Sequence, residues 1–168
     1  MFALLVMIHS AGCTKNVSNQ VAALNDAPIK QLTNLYNGYQ RSHSWHGPKD
    51  EAALKQFVQH DMDPNKLALM NVDPTKLDEV FVSSRDHTPF KVKYGVGGGP
   101  GINVAVVFES SGVEGNRQVG FTGPIVEEVG EDHYKDLWSG KATAPAETTW
   151  AQSAGSAANT VTDNSSKK

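Results

Sequence analysis

The sequence has little of several features that mark particular classes of protein. It contains one cysteine among 168 residues, so no disulfide can form within the chain. Fifteen Lys and Arg stand against 18 Asp and Glu, and the net charge of -3 provides no positive field to attract nucleic-acid phosphates. The apolar run from Phe2 to Ile8 is far shorter than the roughly 20 residues of a membrane-spanning helix. Nucleic-acid binding and a transmembrane anchor are therefore not expected.

The composition is otherwise that of an average soluble protein. Apolar residues make up 39% of the chain and charged residues 20%. A chain of this length normally forms one domain that buries roughly two thirds of its unfolded surface. Folding is therefore expected to require neither a metal ion nor a disulfide.

The N-terminal apolar run is typical of the hydrophobic region of a secretory signal. Ser10-Ala11-Gly12-Cys13 follows it and resembles the lipobox of bacterial lipoproteins. The resemblance implies that residues 1–12 are removed as a signal peptide and that Cys13 is acylated, which makes Cys13 the lipidation site and the membrane anchor. Ser10 stands where the lipobox usually has Leu, and no Lys or Arg precedes the run. The alternative is a buried cysteine beside an N-terminal strand.

The segments that flank the central region are polar. Residues 13–25 are interpreted as a tether, and residues 141–168 as a disordered tail rich in Ala, Ser and Thr, with Trp150 the one side chain expected to dock. Such a composition cannot bury enough apolar surface to offset the entropy lost on ordering. A single globular domain is therefore predicted over residues 26–140.

The first half of this domain has helical periodicity. Asp26 and Pro28 form a helix start signal, and apolar residues then recur at spacings of three and four as far as about His43. Pro48 is predicted to open a second short helix. Asp63-Pro64 and Asp73-Pro74 repeat one start signal ten residues apart, which predicts two short helical turns.

From Thr88 the apolar period changes to two. Strands are predicted around Phe90 to Tyr94, around Val104 to Phe108 with Val106 and Phe108 in alternation, around Val119 to Phe121, and from Ile125 to Val129. Tyr134, Leu137 and Trp138 then follow at helical spacing, and Gly140 is the expected helix stop. The predicted fold class is α+β, with an N-terminal amphipathic helix and short helices on a three- or four-stranded antiparallel meander, and with a C-terminal helix.

Two segments suggest a binding site. Gly95 to Gly101 has the glycines of a phosphate-binding loop, but a predicted strand follows it and no Lys-Ser or Lys-Thr pair is present, which favours a flexible hairpin connection. His43 and His46, with His60 and the aspartates Asp61 and Asp63, have the side chains of a metal site. Solvated side chains are the alternative for this second group.

Two further groups have both a functional and a structural interpretation. Ser83, Arg85, Asp86 and His87 include the residue types of a nucleophile and its base, although a triad depends on geometry that adjacency in sequence does not supply. The alternative is a polar turn in which Arg85 and Asp86 bond nearby backbone. The aromatic residues of the helical half are either core residues or a sugar-stacking surface: Tyr36, Tyr39 and Trp45.

The order of elements carries a resemblance to known families. Residues 28–139 resemble small lipoproteins of planctomycete-type bacteria and are similar to the soluble part of type IV pilin-like and pseudopilin proteins. The features in question are a helix with spaced Leu and Tyr, a Gly-Pro break and a small antiparallel sheet: Leu32, Leu35, Tyr36, Tyr39, Gly47-Pro48, Leu54 to Val58 and Ser83 to Tyr94. The pilin-type processing site is absent, so the resemblance implies a fold and no catalytic residue.

These observations predict an exported, lipid-anchored envelope protein with a structural or protein-interaction role. Its expected partners are the membrane, through lipidated Cys13, and other envelope proteins, at the periplasmic face or the cell surface. No catalytic residue, cofactor or metal ligand is assigned. The alternative is a periplasmic ligand-binding or metal-dependent hydrolytic module that uses the residues between His43 and Asp63.

Overall fold

A four-stranded antiparallel sheet lies between a long N-terminal helix and a C-terminal helix. The computed structural model describes residues 27–123 and 125–141. The elements in chain order are α1 (Pro28–Ser42), α2 (Glu51–His60), α3 (Pro64–Leu69), α4 (Leu77–Val80), β1 (Lys91–Val92), β2 (Ala105–Phe108), β3 (Asn116–Phe121), β4 (Ile125–Gly130) and α5 (Glu131–Ser139). The predicted α+β class is confirmed. Cys13, the tether and residues 142–168 of the tail lie outside the described residues.

Helix α1 carries the centre of the larger apolar core. Pro28 occupies its first turn and Ala27 is the N-cap residue, while the predicted cap Asp26 lies outside the described residues. The apolar side chains at spacings of three and four are buried as predicted: Ile29, Leu32, Leu35 and Tyr36. They pack with residues of α2, α3, α4 and β2 in one cluster. The periodicity therefore predicted both this helix and its buried face.

Two of the three short helices, α2 and α3, begin at an aspartate cap. Asp50 accepts a hydrogen bond from Ala53 N at 2.8 Å and caps α2, which begins at Glu51, so the prediction that Pro48 opens this helix is wrong by about one turn. Asp63 caps α3 in the predicted way, through Asn65 N at 2.9 Å. Asp73 bonds Thr75 N at 2.8 Å in the same manner, but only a turn follows, and α4 begins later at Leu77. One start signal thus produced one helix and one turn.

The sheet is a meander with the order β1-β2-β3-β4, as predicted. β1 is shorter than expected and pairs only Lys91 and Val92 with β2. The register between β2 and β3 shifts between Ala105 and Val107. Because of this irregularity, Val106 packs in the α1 core whereas Phe108 packs in a second core, so the simple alternation predicted for β2 is wrong.

The second core lies on the opposite face of the sheet, beneath α5. Along β3, Val119 and Phe121 pack in this core with Leu137 of α5, whereas Gly120 faces α1, where an added Cβ would lie 2.0 Å from Thr33 Oγ1. Alternating side chains of one strand therefore contact helices on the two faces. The predicted C-terminal stop is confirmed, because Gly140 has the left-handed conformation, with φ 76°.

Candidate functional site

A buried carboxylate joins the helical half of the chain to the sheet. Glu109 follows β2 and is fully buried. Its Oε1 accepts a hydrogen bond from Ser83 Oγ at 2.8 Å, and its Oε2 accepts one from Gln118 N at 2.9 Å. The Arg85 guanidinium lies 3.6 Å from the same Oε2 and donates to both oxygens of Glu128, at 3.3 and 3.2 Å. Each oxygen of the buried carboxylate thus has a donor.

The contacts of Ser83 and the position of His87 decide whether residues 83–87 form a catalytic triad. Ser83 Oγ donates to Glu109, and it also accepts from Arg85 N at 3.1 Å. His87 is exposed, with φ 56°. The hydroxyl is therefore occupied by structural bonds to a carboxylate. Arg85 binds two carboxylates, whereas the sequence predicted bonds to nearby backbone.

Asp86 links the segment before β1 to the β2–β3 connection through hydrogen bonds. Its Oδ1 accepts from Thr88 N and Thr88 Oγ1, at 3.0 and 2.8 Å, and its Oδ2 accepts from Ser111 N and Gly112 N, at 3.1 and 2.8 Å. Partial burial acts to raise the pKa of Asp86, but these four hydrogen bonds outweigh it and hold the pKa well below its usual range. The predicted role of Asp86 in bonding nearby backbone is confirmed.

The glycine-rich connection is attached to the C-terminal end of α1. Tyr36 Oη donates to Lys93 O at 2.9 Å and accepts from Val96 N at 3.2 Å, and Gln40 Nε2 donates to Val96 O at 2.9 Å. Burial raises the pKa of Tyr36 to about 12. Gly98 N donates to the backbone of Trp45, at 2.9 Å. The expected flexible hairpin connection is thus a segment fixed at several points.

The histidines and aspartates considered for a metal site do not form one in the described residues. The ring of His43 stacks on Tyr39 with centroids 3.8 Å apart, and its Nδ1 lies 2.9 Å from Tyr39 O. His46 and His60 are exposed. Over residues 27–123 and 125–141, no three His, Cys, Asp or Glu side chains are grouped closely enough to hold a metal ion. The metal interpretation of His43 to Asp63 is therefore wrong for the described residues, since the ring of His43 stacks on Tyr39 and the Asp63 carboxylate caps α3.

The aromatic residues of the helical half do not form a sugar-stacking surface. Tyr36 is fully buried and lies in the α1 core. One face of Tyr39 is covered by His43, and its edge meets Phe57 with centroids 5.3 Å apart. Both tyrosines therefore contribute to packing.

A basic and aromatic cluster lies at the C-terminal end of α5. Lys93 Nζ donates to Leu137 O at 3.0 Å and lies 5.3 Å from the centroid of Trp138. Trp138 meets Phe108 edge-on at 4.9 Å between centroids, and 42% of it is exposed. Because a cation is favourable at the C-terminal end of a helix, this contact stabilises the packing of α5 against the residue that follows β1.

A cleft of about 620 Å³ separates α1 from the α2–α3 connection. Helix α1 supplies Gly38 and Arg41 to one wall, and the connection and α3 supply Met62 and Lys66 to the other. Gly38 allows Met62 to approach α1 closely, because a Cβ there would lie 3.2 Å from Met62 Cε. The volume lies within the range of about 300–1,000 Å³ that is common for ligand sites. Of the residues in the metal interpretation, the cleft includes Asp61 and Asp63 but none of the histidines.

Two of these features, the burial of Glu109 and the exposure of Leu69, could not be predicted from local sequence patterns. Glu109 looked like the polar end of an alternating strand, and only the return of residues 83–85 to the sheet shows that it is covered. Leu69 is an apolar residue of a short helix, yet it is 87% exposed on the rim of the cleft. Both depend on contacts between segments far apart in sequence.

Comparison with protein-family models, with curated proteins and with solved structures gave no match. The resemblance to planctomycete-type lipoproteins and to pseudopilins therefore stays a prediction. Within the described residues, no helix has both the length and the apolar content needed to cross a bilayer.

Proposed function

We propose that this protein is an exported envelope lipoprotein, acylated at Cys13, whose α+β domain has a structural or protein-interaction role. The observation that carries the proposal is the apolar run Phe2 to Ile8, followed by Ser10-Ala11-Gly12-Cys13. An apolar stretch of this length suits a signal sequence, and the small residues before the cysteine suit its cleavage.

The spacing between Cys13 and the folded domain supports this role. Fourteen residue steps separate Cys13 from Ala27, where the described structure begins. At full extension such a segment reaches at most about 50 Å. A domain tethered in this way can contact proteins near the membrane without inserting into it. Each buried methylene of an acyl chain adds about 0.8 kcal/mol of membrane affinity, so two or three chains hold a protein stably.

The structure of the domain favours interaction over catalysis. Ser83, His87 and Glu109 do not form a nucleophile and base, because Ser83 donates to a fully buried and bonded carboxylate. The alternative is a periplasmic ligand-binding or metal-dependent hydrolytic module, and its histidines belong to no group of three metal-ligand side chains within the described residues. The cleft beside α1, with its exposed Leu69, instead has the character of a contact surface for another protein.

Detergent-phase partition of membranes from cells that express the full chain tests the proposal. The wild type is expected in the membrane fraction and in the detergent phase, and Cys13→Ser in the aqueous phase. Ser10→Leu is the matched control, because it restores the usual lipobox residue and leaves the cysteine in place. Equal partition of the wild type and Cys13→Ser would contradict acylation at this position.

A further inference from the structure

The cleft between α1 and the α2–α3 connection combines a recess with a neighbouring projection. Phe57, Met62 and Met70 contribute apolar surface to its interior. Leu69, at the end of α3, lies on its rim with 87% of the residue exposed. An exposed leucine gains little of the transfer free energy that burial would provide, and the adjacent recess has apolar side chains beside Asn34 and Asn37.

Charges of both signs lie on the same rim. Arg41 of α1 and Lys66 of α3 are the cations, and Asp61 and Asp63 of the connection are the anions. In the part of the chain that the structure describes, none of the four forms an ion pair. The rim therefore offers two positive and two negative groups to whatever covers it.

We propose that a second copy of this chain covers the cleft in a two-fold symmetric dimer. A two-fold interface uses the same patch on both subunits, so the patch must complement itself. Here the exposed Leu69 stands beside a recess that contains Phe57, Met62 and Met70, and cations stand beside anions. In the dimer, Leu69 of each copy enters the cleft of the other, and the acidic part of each rim meets the basic part of its partner. A ligand whose charges are all of one sign would be repelled by the two rim residues of that sign.

The proposal deepens the interaction role proposed above and rests on it for its place in the cell, but not for its chemistry. The test therefore uses the full chain with Cys13→Ser, in which neither acylation nor an intermolecular disulfide can occur. Sedimentation equilibrium is measured from about 1 µM to about 500 µM, a range that covers weak and moderate association. A reversible monomer–dimer equilibrium is expected.

Leu69→Asp in this background is expected to weaken dimerisation at least about tenfold, because it places a charge in the centre of the interface. Ile102→Asp is the matched control, since Ile102 is also exposed, at 54%, and does not line the cleft. Far-ultraviolet circular dichroism and thermal melting confirm that both variants are folded. A chain that is monomeric throughout the range, or a Leu69→Asp variant that dimerises as well as Ile102→Asp, overturns the proposal.

Charge reversal tests the two-fold arrangement itself. Arg41→Glu combined with Lys66→Glu makes the rim acidic, and Asp61→Lys makes it more basic. Each variant alone is expected to dimerise more weakly than the parent, and an equimolar mixture is expected to recover association as a heterodimer. A mixture no better than its components would overturn the proposed pairing. The two proposals can fail separately. A monomeric Cys13→Ser chain, together with acylated Cys13 in the wild type, would refute the dimer alone. A dimeric Cys13→Ser chain, together with unmodified Cys13 in the wild type, would refute the anchor alone.

Discussion

Replacing Glu109 by Gln tests the energetic role of the buried carboxylate. Glu109 accepts one hydrogen bond on each oxygen, from Ser83 Oγ at 2.8 Å and from Gln118 N at 2.9 Å, and the Arg85 guanidinium lies 3.6 Å away. Glutamine keeps the shape of the side chain but turns one acceptor into a donor. In one orientation of the amide, its NH₂ group faces Gln118 N, which is also a donor. In the other orientation, the NH₂ group faces Ser83 Oγ, and the Ser83 hydroxyl loses its acceptor.

The magnitude follows from these contacts. A hydrogen bond to a charged group contributes about 1.5–3 kcal/mol, and a buried donor left without an acceptor costs about 1–3 kcal/mol. Since the two effects overlap at one group, we expect Glu109→Gln to lower the free energy of unfolding by roughly 3 kcal/mol. With a urea m-value of about 1.5 kcal/mol/M, the unfolding midpoint falls by about 2 M.

The assay is urea unfolding followed by tryptophan fluorescence and by circular dichroism. Glu128→Gln is the control, because it changes the same chemical group on the other partner of Arg85, where 48% of the side chain is exposed. An exposed ion pair contributes only about 0–1 kcal/mol, so this variant is expected to unfold close to the wild type. Equal midpoints for Glu109→Gln and the wild type would show that the buried network does not stabilise the fold as argued.

Two further predictions concern Gly120 of β3 and Asp86 in the segment before β1. Gly120→Ala places a Cβ 2.0 Å from Thr33 Oγ1, so we expect the free energy of unfolding in urea to fall by about 1–3 kcal/mol. Gly97→Ala is the control and should have little effect, because its Cβ meets only an ordinary contact at 3.6 Å. Equal losses for the two variants would contradict the close approach of β3 and α1. Asp86 has a folded-state pKa below its ordinary 3.8, so its stabilising contribution is present above about pH 4 and is lost as the pH falls towards the folded value. Unfolding midpoints measured across the acidic range should therefore fall more steeply for the wild type than for Asp86→Asn, and parallel profiles would contradict this assignment.

Much of the helical half could be predicted because its information is local. The spacing of Ile29, Leu32 and Tyr36 predicts both a helix and its buried face, and Pro28 marks its start. The meander could likewise be predicted from alternating strands joined by short connections. Gly140 shows the same principle at a single residue, since the left-handed conformation it adopts favours glycine.

The rest depends on contacts between distant segments. The irregular register near Ala105 sends Val106 and Phe108 to different cores, which a simple period of two does not contain. Glu109 is covered because Ser83 and Arg85 return to the sheet from about 25 residues earlier in the chain. The cleft likewise arises from the packing of α1 on the α2–α3 connection, so the sequence could not show that Arg41 and Lys66 share one rim.

Mass spectrometry of the N-terminal tryptic peptide tests the central claim most directly. The protein is purified from the membrane fraction of cells that express the full chain and is cleaved after Lys15. The expected peptide begins at Cys13 and carries the mass of its acyl chains. An unmodified peptide that begins at Met1 and ends at Lys15 would contradict both the processing site and the lipid anchor.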